Sequence, residues 1–313
     1  MGVLINLDYS KINGRTKPHN NLEKFTSSID QLDIYPDRII CLTEETTATL
    51  YLLGEDSRIV GVSGYTVRPK EARLKPRVSG FTHANLEKIE RLNPDIVLAF
   101  SDLQADITRD LIKRGLTLLT FTQRSINGIF EMIQTLGNLV GNKKKARKLV
   151  NQILVGLAHI QASAHSFPRR PRVFFEEWAN PLISGIQWVE ELVELAGGVP
   201  IFPELRQKHL GKDRIVDPKK VICRDPEVII ASWCGVKVNK SKIKGRPGWS
   251  KLSAIKRGHI YEIKSAFILQ PGPAALIEGV RQIHAILAKV VGIKVSTKLK
   301  SEELVDPLIR QTN

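Results

Sequence analysis

Asn85-Leu-Glu-Lys-Ile-Glu-Arg-Leu-Asn-Pro-Asp-Ile-Val-Leu-Ala99 and Asp217-Pro-Lys-Lys-Val-Ile-Cys-Arg-Asp-Pro-Glu-Val-Ile-Ile-Ala231 align without a gap. Each copy reads as a capped short helix, an Asn/Asp-Pro break and a buried strand. Asn85 or Asp217 can accept from first-turn amides, Pro218 suits the first helical position, and Pro94 or Pro226 stops the helix. The continuous apolar run that follows fits a central parallel strand covered on both faces. A unit repeated at this spacing predicts two lobes built alike.

The same signals fill in each lobe. In the first, 38–42 reads as a strand, and Thr43 caps a helix that carries Glu44 and Glu45 in its first turn and ends at Gly54. A strand at 59–62, a Pro-marked loop through Pro69 and Pro76, the repeated unit, a helix over 103–114 and a strand at 117–121 complete it. The stretch 126–165 is almost wholly helical and places Ile129, Ile133, Leu136, Leu149, Ile153 and Leu157 on recurrent faces. At about 1.5 Å per residue it is long enough to connect two lobes. In the second lobe 172–175 and 260–263 read as strands, 188–196 as an amphipathic helix closed by Gly197-Gly198, and 273–291 as the last helix. The expected fold class is α/β, two similar parallel-sheet lobes joined by a long helix. The expected divisions are an N-terminal extension (1–35), an N-terminal lobe (36–125), a helical connector (126–168), a C-terminal lobe (169–292) and a C-terminal tail (293–313).

Composition narrows the function. The 313 residues are 42% hydrophobic and 25% charged, as in a soluble globular chain. The apolar runs fall far short of the roughly 20 residues of a membrane span. The opening residues, broken by Asp8, Lys11, Arg15 and Lys17, do not have the pattern of a secretory signal, so the chain as written is expected in the cytoplasm, and outside it if the N-terminus is incomplete. The formal net charge of +15 favours anionic contacts, but the basic residues are scattered along helices with no nucleic-acid motif, and no nucleic-acid partner is expected. Cys41, Cys223 and Cys234 form no disulfide or zinc pattern, and Cys41 and Cys223 are expected as inert core thiols.

The segments Ile59-Val-Gly-Val-Ser-Gly-Tyr65, Asn85 to Val97, Ala196-Gly-Gly198 and Gly245-Arg-Pro-Gly-Trp249 occur in this order. They stand with Phe174-Phe-Glu-Glu-Trp-Ala-Asn-Pro181, Trp188-Val-Glu-Glu-Leu192 and Gln270-Pro-Gly-Pro273. In these the chain resembles the helical-backbone (class III) periplasmic binding proteins of iron-siderophore, haem and cobalamin importers, most of all the cobalamin-binding branch. The resemblance covers about 36–292 and implies a non-catalytic, monomeric, two-lobed binder. Its ligand would be cobalamin or a related corrinoid, with no cofactor required and an ABC permease as a possible partner. An iron-siderophore or haem ligand is the runner-up. A corrinoid-modifying or metallocluster-type enzyme is the rival from another class, and no phosphate loop, hydrolase order or cysteine cluster supports it. Lobes tied by one helix should hinge little, and a preformed cleft suits a rigid macrocycle or chelate.

Ligands of α/β lobes gather outside the carboxyl ends of the strands. That rule selects 63–66, 100–103, 176–180 and 232–235. The resemblance implies Tyr65, Phe81 and Phe100 as rings presented to a corrin, and it adds Phe267. Trp178 and Trp233 each follow an apolar strand and are candidates for the opposite wall. His83 and Cys234 are the candidate axial ligands to a bound metal. Glu176 and Glu177 alternate across their strand, one toward the cleft and one toward solvent. Transport relatives meet their permease through one glutamate per lobe. Glu87 matches the first position, while Lys219 stands at the second, which implies weak docking.

Overall fold

The computed structural model describes residues 35–294. The elements described all belong to the unit that begins at Pro36. The expected N-terminal extension lies outside the described residues except for Tyr35, and the expected tail except for its first two positions.

The first lobe runs β1 (Ile39–Cys41), α1 (Glu44–Leu53), β2 (Ile59–Ser63), β3 (Arg77–Ser79), α2 (Leu86–Arg91), β4 (Ile96–Phe100), α3 (Ala105–Lys113) and β5 (Leu118–Phe121). Its five strands are all parallel, in the order β3-β2-β1-β4-β5. The connector is two helices, α4 (Ile126–Leu139) and α5 (Lys143–His165). The break at 140–142, where Gly141 takes φ 74°, turns α4 back against α5, so a single helix of 23 residues joins the lobes. It is about 34 Å long.

The second lobe contains β6 (Arg172–Ala179), β7 (Leu182–Ser184), α6 (Gln187–Leu195), β8 (Val199–Pro200), α7 (Pro218–Arg224), β9 (Val228–Ala231), α8 (Lys240–Lys244), α9 (Ser253–Lys256), β10 (Ile260–Glu262), α10 (Ser265–Ile268) and α11 (Val280–Val290). β10, β9, β6 and β8 pair in parallel, but β7 returns antiparallel on β6. This sheet is therefore mixed, where the sequence leads one to expect a parallel one. The short Asn180-Pro181 link leaves room only for a hairpin, since a parallel return needs a crossover of a dozen or more residues.

The repeated unit is realised in both lobes. Asn85 accepts from the Lys88 amide at 2.9 Å, and Asp217 from the Lys219 amide at 2.8 Å. After each helix the residue before proline, Asn93 or Asp225, takes a positive φ of 44° or 40°. The turn is clamped alike in both: the guanidinium of Arg38 donates to the Asn93 carbonyl and that of Arg172 to the Asp225 carbonyl. Asp95 and Glu227 in turn accept the backbone amides of Arg38 and Arg172.

Strand alternation decides what each face buries. Ile39, Cys41, Leu98 and Phe100 point into one cluster that continues through α4, α5, α6 and α11 to Val173, Phe175, Val228 and Ile230. The opposite faces close separate clusters, with Ile40, Leu42, Val97 and Ala99 in the first lobe and Phe174, Ile229 and Ala231 in the second. Leu149, Ile153, Leu157 and Ile160 place α5 in the shared cluster, so the two lobes have a common core on the helix side. Each such buried side chain contributes about 1.5–3 kcal/mol against exposure. The connector is thus held along its length by packing. Two local expectations change: the Thr43 hydroxyl bonds the Glu45 carboxylate at 2.7 Å instead of capping the helix, and Cys223 is exposed on α7, on the face away from Val221.

Candidate functional site

The carboxyl ends of both sheets meet. Gln123, two residues past β5, donates from Nε2 to the carbonyl of Pro271 at 3.1 Å. A Cβ on Gly272 would lie 2.5 Å from that of Glu45, so the Gln270-Pro271-Gly272-Pro273 turn fits against the start of α1 only because Gly272 has no side chain. Arg68, past β2, pairs with Glu278 and lies over Phe267, 4.4 Å from the ring centroid. The strand-end loops of the two lobes therefore form the opposed walls of one cleft.

On the first-lobe wall Tyr65 is 52% exposed and Phe81 is 38% exposed. Both follow their strands, with Gly64 donating to the Ser79 carbonyl at 2.6 Å to hold the two loops together. Phe100 is different from expectation. It is 4% exposed, belongs to the shared core, and carries the Arg124 guanidinium 4.8 Å over its ring. The side chain that covers the ring is Arg124, whose pKa burial lowers against the opposing pull of Asp102. The alternation that drives strand β4 inward also carries its last residue inward.

Gln104 organises this wall, and sequence patterning gives no sign of it. Fully buried, it accepts the Phe100 amide at 2.9 Å and donates to the Phe81 carbonyl at 3.0 Å. The adjoining Ser101, at φ 57°, turns the chain sharply out of β4 and accepts the Leu103 amide. A non-glycine residue in this region stores backbone strain, which concentrates at functional sites.

On the second-lobe wall Trp178 is half-buried, its indole donating to the Asn180 carbonyl at 3.0 Å. Trp233 is 7% exposed and donates to the Glu176 carboxylate at 3.1 Å, so it is a packing residue with a polar tether instead of an open wall. Phe267 is half-buried under Arg68. Glu176 and Glu177 do lie on opposite faces, and each is taken by a guanidinium. Glu176 is wholly buried and takes both guanidinium nitrogens of Arg246; Glu177 takes both of Arg214, at 2.7 and 3.0 Å. These bidentate pairs fix the wall's shape and neutralise it.

Of the candidate axial ligands, His83 stands over Gly80, where a Cβ would meet its ring at 2.3 Å, and lines an open hollow with Tyr65, Ser79 and Asn85. Cys234 is exposed at its loop, and partial burial, then Glu44 and Glu177, push its thiol up, away from the thiolate that binds metals. Among the described residues no three His, Cys, Asp or Glu side chains are grouped to hold a metal ion. At the start of α1, burial pushes Glu44 up to about 8 and Glu45 up to about 7. Glu87 and Lys219 occupy equivalent exposed first turns of α2 and α7, with Glu87 paired to Arg91 at 3.1 Å.

Comparison with known proteins agrees with this architecture. The family model described as Periplasmic binding protein matches residues 39–267. An uncharacterised ABC transporter substrate-binding lipoprotein of Bacillus subtilis is 27% identical, covering 79% of each chain. A vitamin B12-binding protein of Vibrio parahaemolyticus is 24% identical over 82% of this chain and 91% of its own. The haem complex of Staphylococcus aureus IsdE superposes with a TM-score of 0.69 at 19% identity, over 80% of this chain and 98% of that one, which is a likeness of fold. These relatives overturn the expected cytoplasmic location, since the family is named for the periplasm and the Bacillus relative is a lipoprotein. With two strand-end walls on one helical spine and a family match across both lobes, the chain belongs to the periplasmic binding protein family.

Proposed function

We propose that this chain is the substrate-binding component of an ABC importer and that its cleft takes a corrinoid of the cobalamin type, which it binds without chemical change. The observation that supports this most is the pairing of exposed rings on one wall, Tyr65 and Phe81, with half-buried rings on the other, Trp178 and Phe267, where Arg68, Glu176 and Glu177 are each held in an ion pair. A flat, rigid macrocycle with amide-bearing edges matches such a cleft, since apolar area supplies the affinity and a few polar groups set orientation. The cobalamin-binding names among the relatives point the same way. Docking to a permease is expected to be weak, because Lys219 presents a cation where Glu87 presents an anion on the other lobe.

A second reading, haem, is favoured by one observation: Tyr65 and His83 line the same hollow, and both phenolate and imidazole hold haem iron. Visible spectra of the purified chain with a corrinoid, haem and a ferric chelate separate the readings. Retention of the corrinoid alone through gel filtration supports the first. A haem Soret shift that is lost in His83→Ala or Tyr65→Phe, without corrinoid retention, replaces it.

A further inference from the structure

Helix α5 opens with Lys143, Lys144, Lys145, Arg147 and Lys148, and its 23 residues include no Asp or Glu. Cations at a helix N-terminus oppose the macrodipole, so this arrangement weakens the helix that the fold depends on. Lys145 has a structural use: its amine caps the end of α1 by donating to the Leu53 carbonyl at 3.1 Å. Among the described residues, the side chains of Lys143, Lys144, Arg147 and Lys148 make no ion pair or hydrogen bond, and all four are exposed. Folding gives no reason for them.

Lys144, Arg147, Lys148, Asn151, Gln152 and Val155 form one stripe at three- and four-residue spacing and line a shallow concavity. About two turns beyond Lys148, Leu154 is 45% exposed and Val155 is 48% exposed. The stripe also has a defined place. α1 starts at the carboxyl end of β1, beside the cleft, and ends at Leu53, where Asn142 and Lys145 meet it. The basic turns therefore sit at the end of the first lobe remote from the cleft.

We infer that this face of α5 docks on an anionic phospholipid surface, with Lys144, Arg147 and Lys148 on headgroup phosphates and Leu154 and Val155 at the headgroup boundary. Cations followed by exposed aliphatic residues on one helical stripe fit an interfacial contact. A phosphodiester backbone would use the cations but leaves the aliphatic pair without a role. Docking at this end would leave the cleft open.

Full-length protein is to be sedimented with vesicles of phosphatidylcholine alone or mixed with phosphatidylglycerol, at low and moderate salt. The expected result is binding to the mixed vesicles only, weakened by salt and reduced at least tenfold by Lys144→Glu/Arg147→Glu/Lys148→Glu. Leu154→Ser/Val155→Ser should reduce it by a smaller factor. Acidic residues suit the start of a helix, so the triple variant should melt no lower than its parent. Unchanged binding in the triple variant, equal binding to both vesicle types, or tighter binding to duplex DNA through the same three cations would overturn the inference.

Discussion

Arg68 of the first lobe and Glu278 of the second form an ion pair between the lobes, with the Arg68 guanidinium stacked on Phe267. The side chains are 37% and 30% exposed, so solvent screens the pair. Its own contribution is about 0.2–1 kcal/mol, and the stacking contributes about 0.5–1 kcal/mol. Arg68→Ala should lower stability by about 1 kcal/mol in denaturant titration. In a double-mutant cycle with Glu278→Gln the coupling should be smaller than with Phe267→Ala. A dominant coupling to Glu278 would show that the pair is less screened than its exposure implies.

Gln104 should matter far beyond its size. Gln104→Leu leaves the buried Phe100 amide without an acceptor, which costs about 1–3 kcal/mol. Because the same side chain holds the Phe81 carbonyl, ligand affinity should fall as well, even where calorimetry shows the protein fully folded. Normal stability in this variant would mean that the amide finds another partner.

Glu190 supplies a pH test. It is 3% exposed with Oε2 unpartnered, and burial pushes it up to about 8, against the pull of Arg206 and Arg214 and with the push of Glu194 and Glu177. A carboxyl raised in the folded state contributes stability that is complete below about 4.5, its ordinary value, and is lost as pH rises through about 8. Glu190→Gln should therefore raise the melting temperature at pH 9 relative to the parent more than at pH 5. Equal shifts at both would indicate that Arg206 and Arg214 keep the group ionised throughout.

Lys219→Glu tests the docking asymmetry. Surface binding to a cobalamin-importer permease from the same cell should be weak for the parent and improve at least tenfold in the variant, as repulsion becomes attraction. Tight docking of the parent, with no gain from the substitution, would remove Lys219 from the interface.

The repeated unit is readable because every signal in it is local: a cap, a proline and an apolar strand within one stretch. The strand-end rule likewise selects Tyr65, which is exposed in its loop, and Trp178, which is half-buried, while Phe81 comes from the family resemblance alone. What sequence order conceals is pairing at a distance. Glu176 and Arg246 are 70 residues apart, Glu177 and Arg214 are 37 apart, and nothing local shows that either carboxylate has a guanidinium partner. Strand-end position alone puts Phe100 and Trp233 in the cleft. The direction of each side chain depends on strand register and on partners, Arg124 and Glu176, that only the folded chain brings near. The β7 hairpin escapes a reading of pattern because its apolar residues are too few to stand out.

A corrinoid held between rings from both lobes is tested most sharply by isothermal titration of cyanocobalamin into the parent, Tyr65→Ala and Trp178→Ala. Truncating a contacting aromatic removes about 1–3 kcal/mol of binding. Saturable binding to the parent with one corrinoid per chain is expected, weakened at least tenfold in each variant; no heat of binding to the parent, or the same affinity in all three, would contradict it.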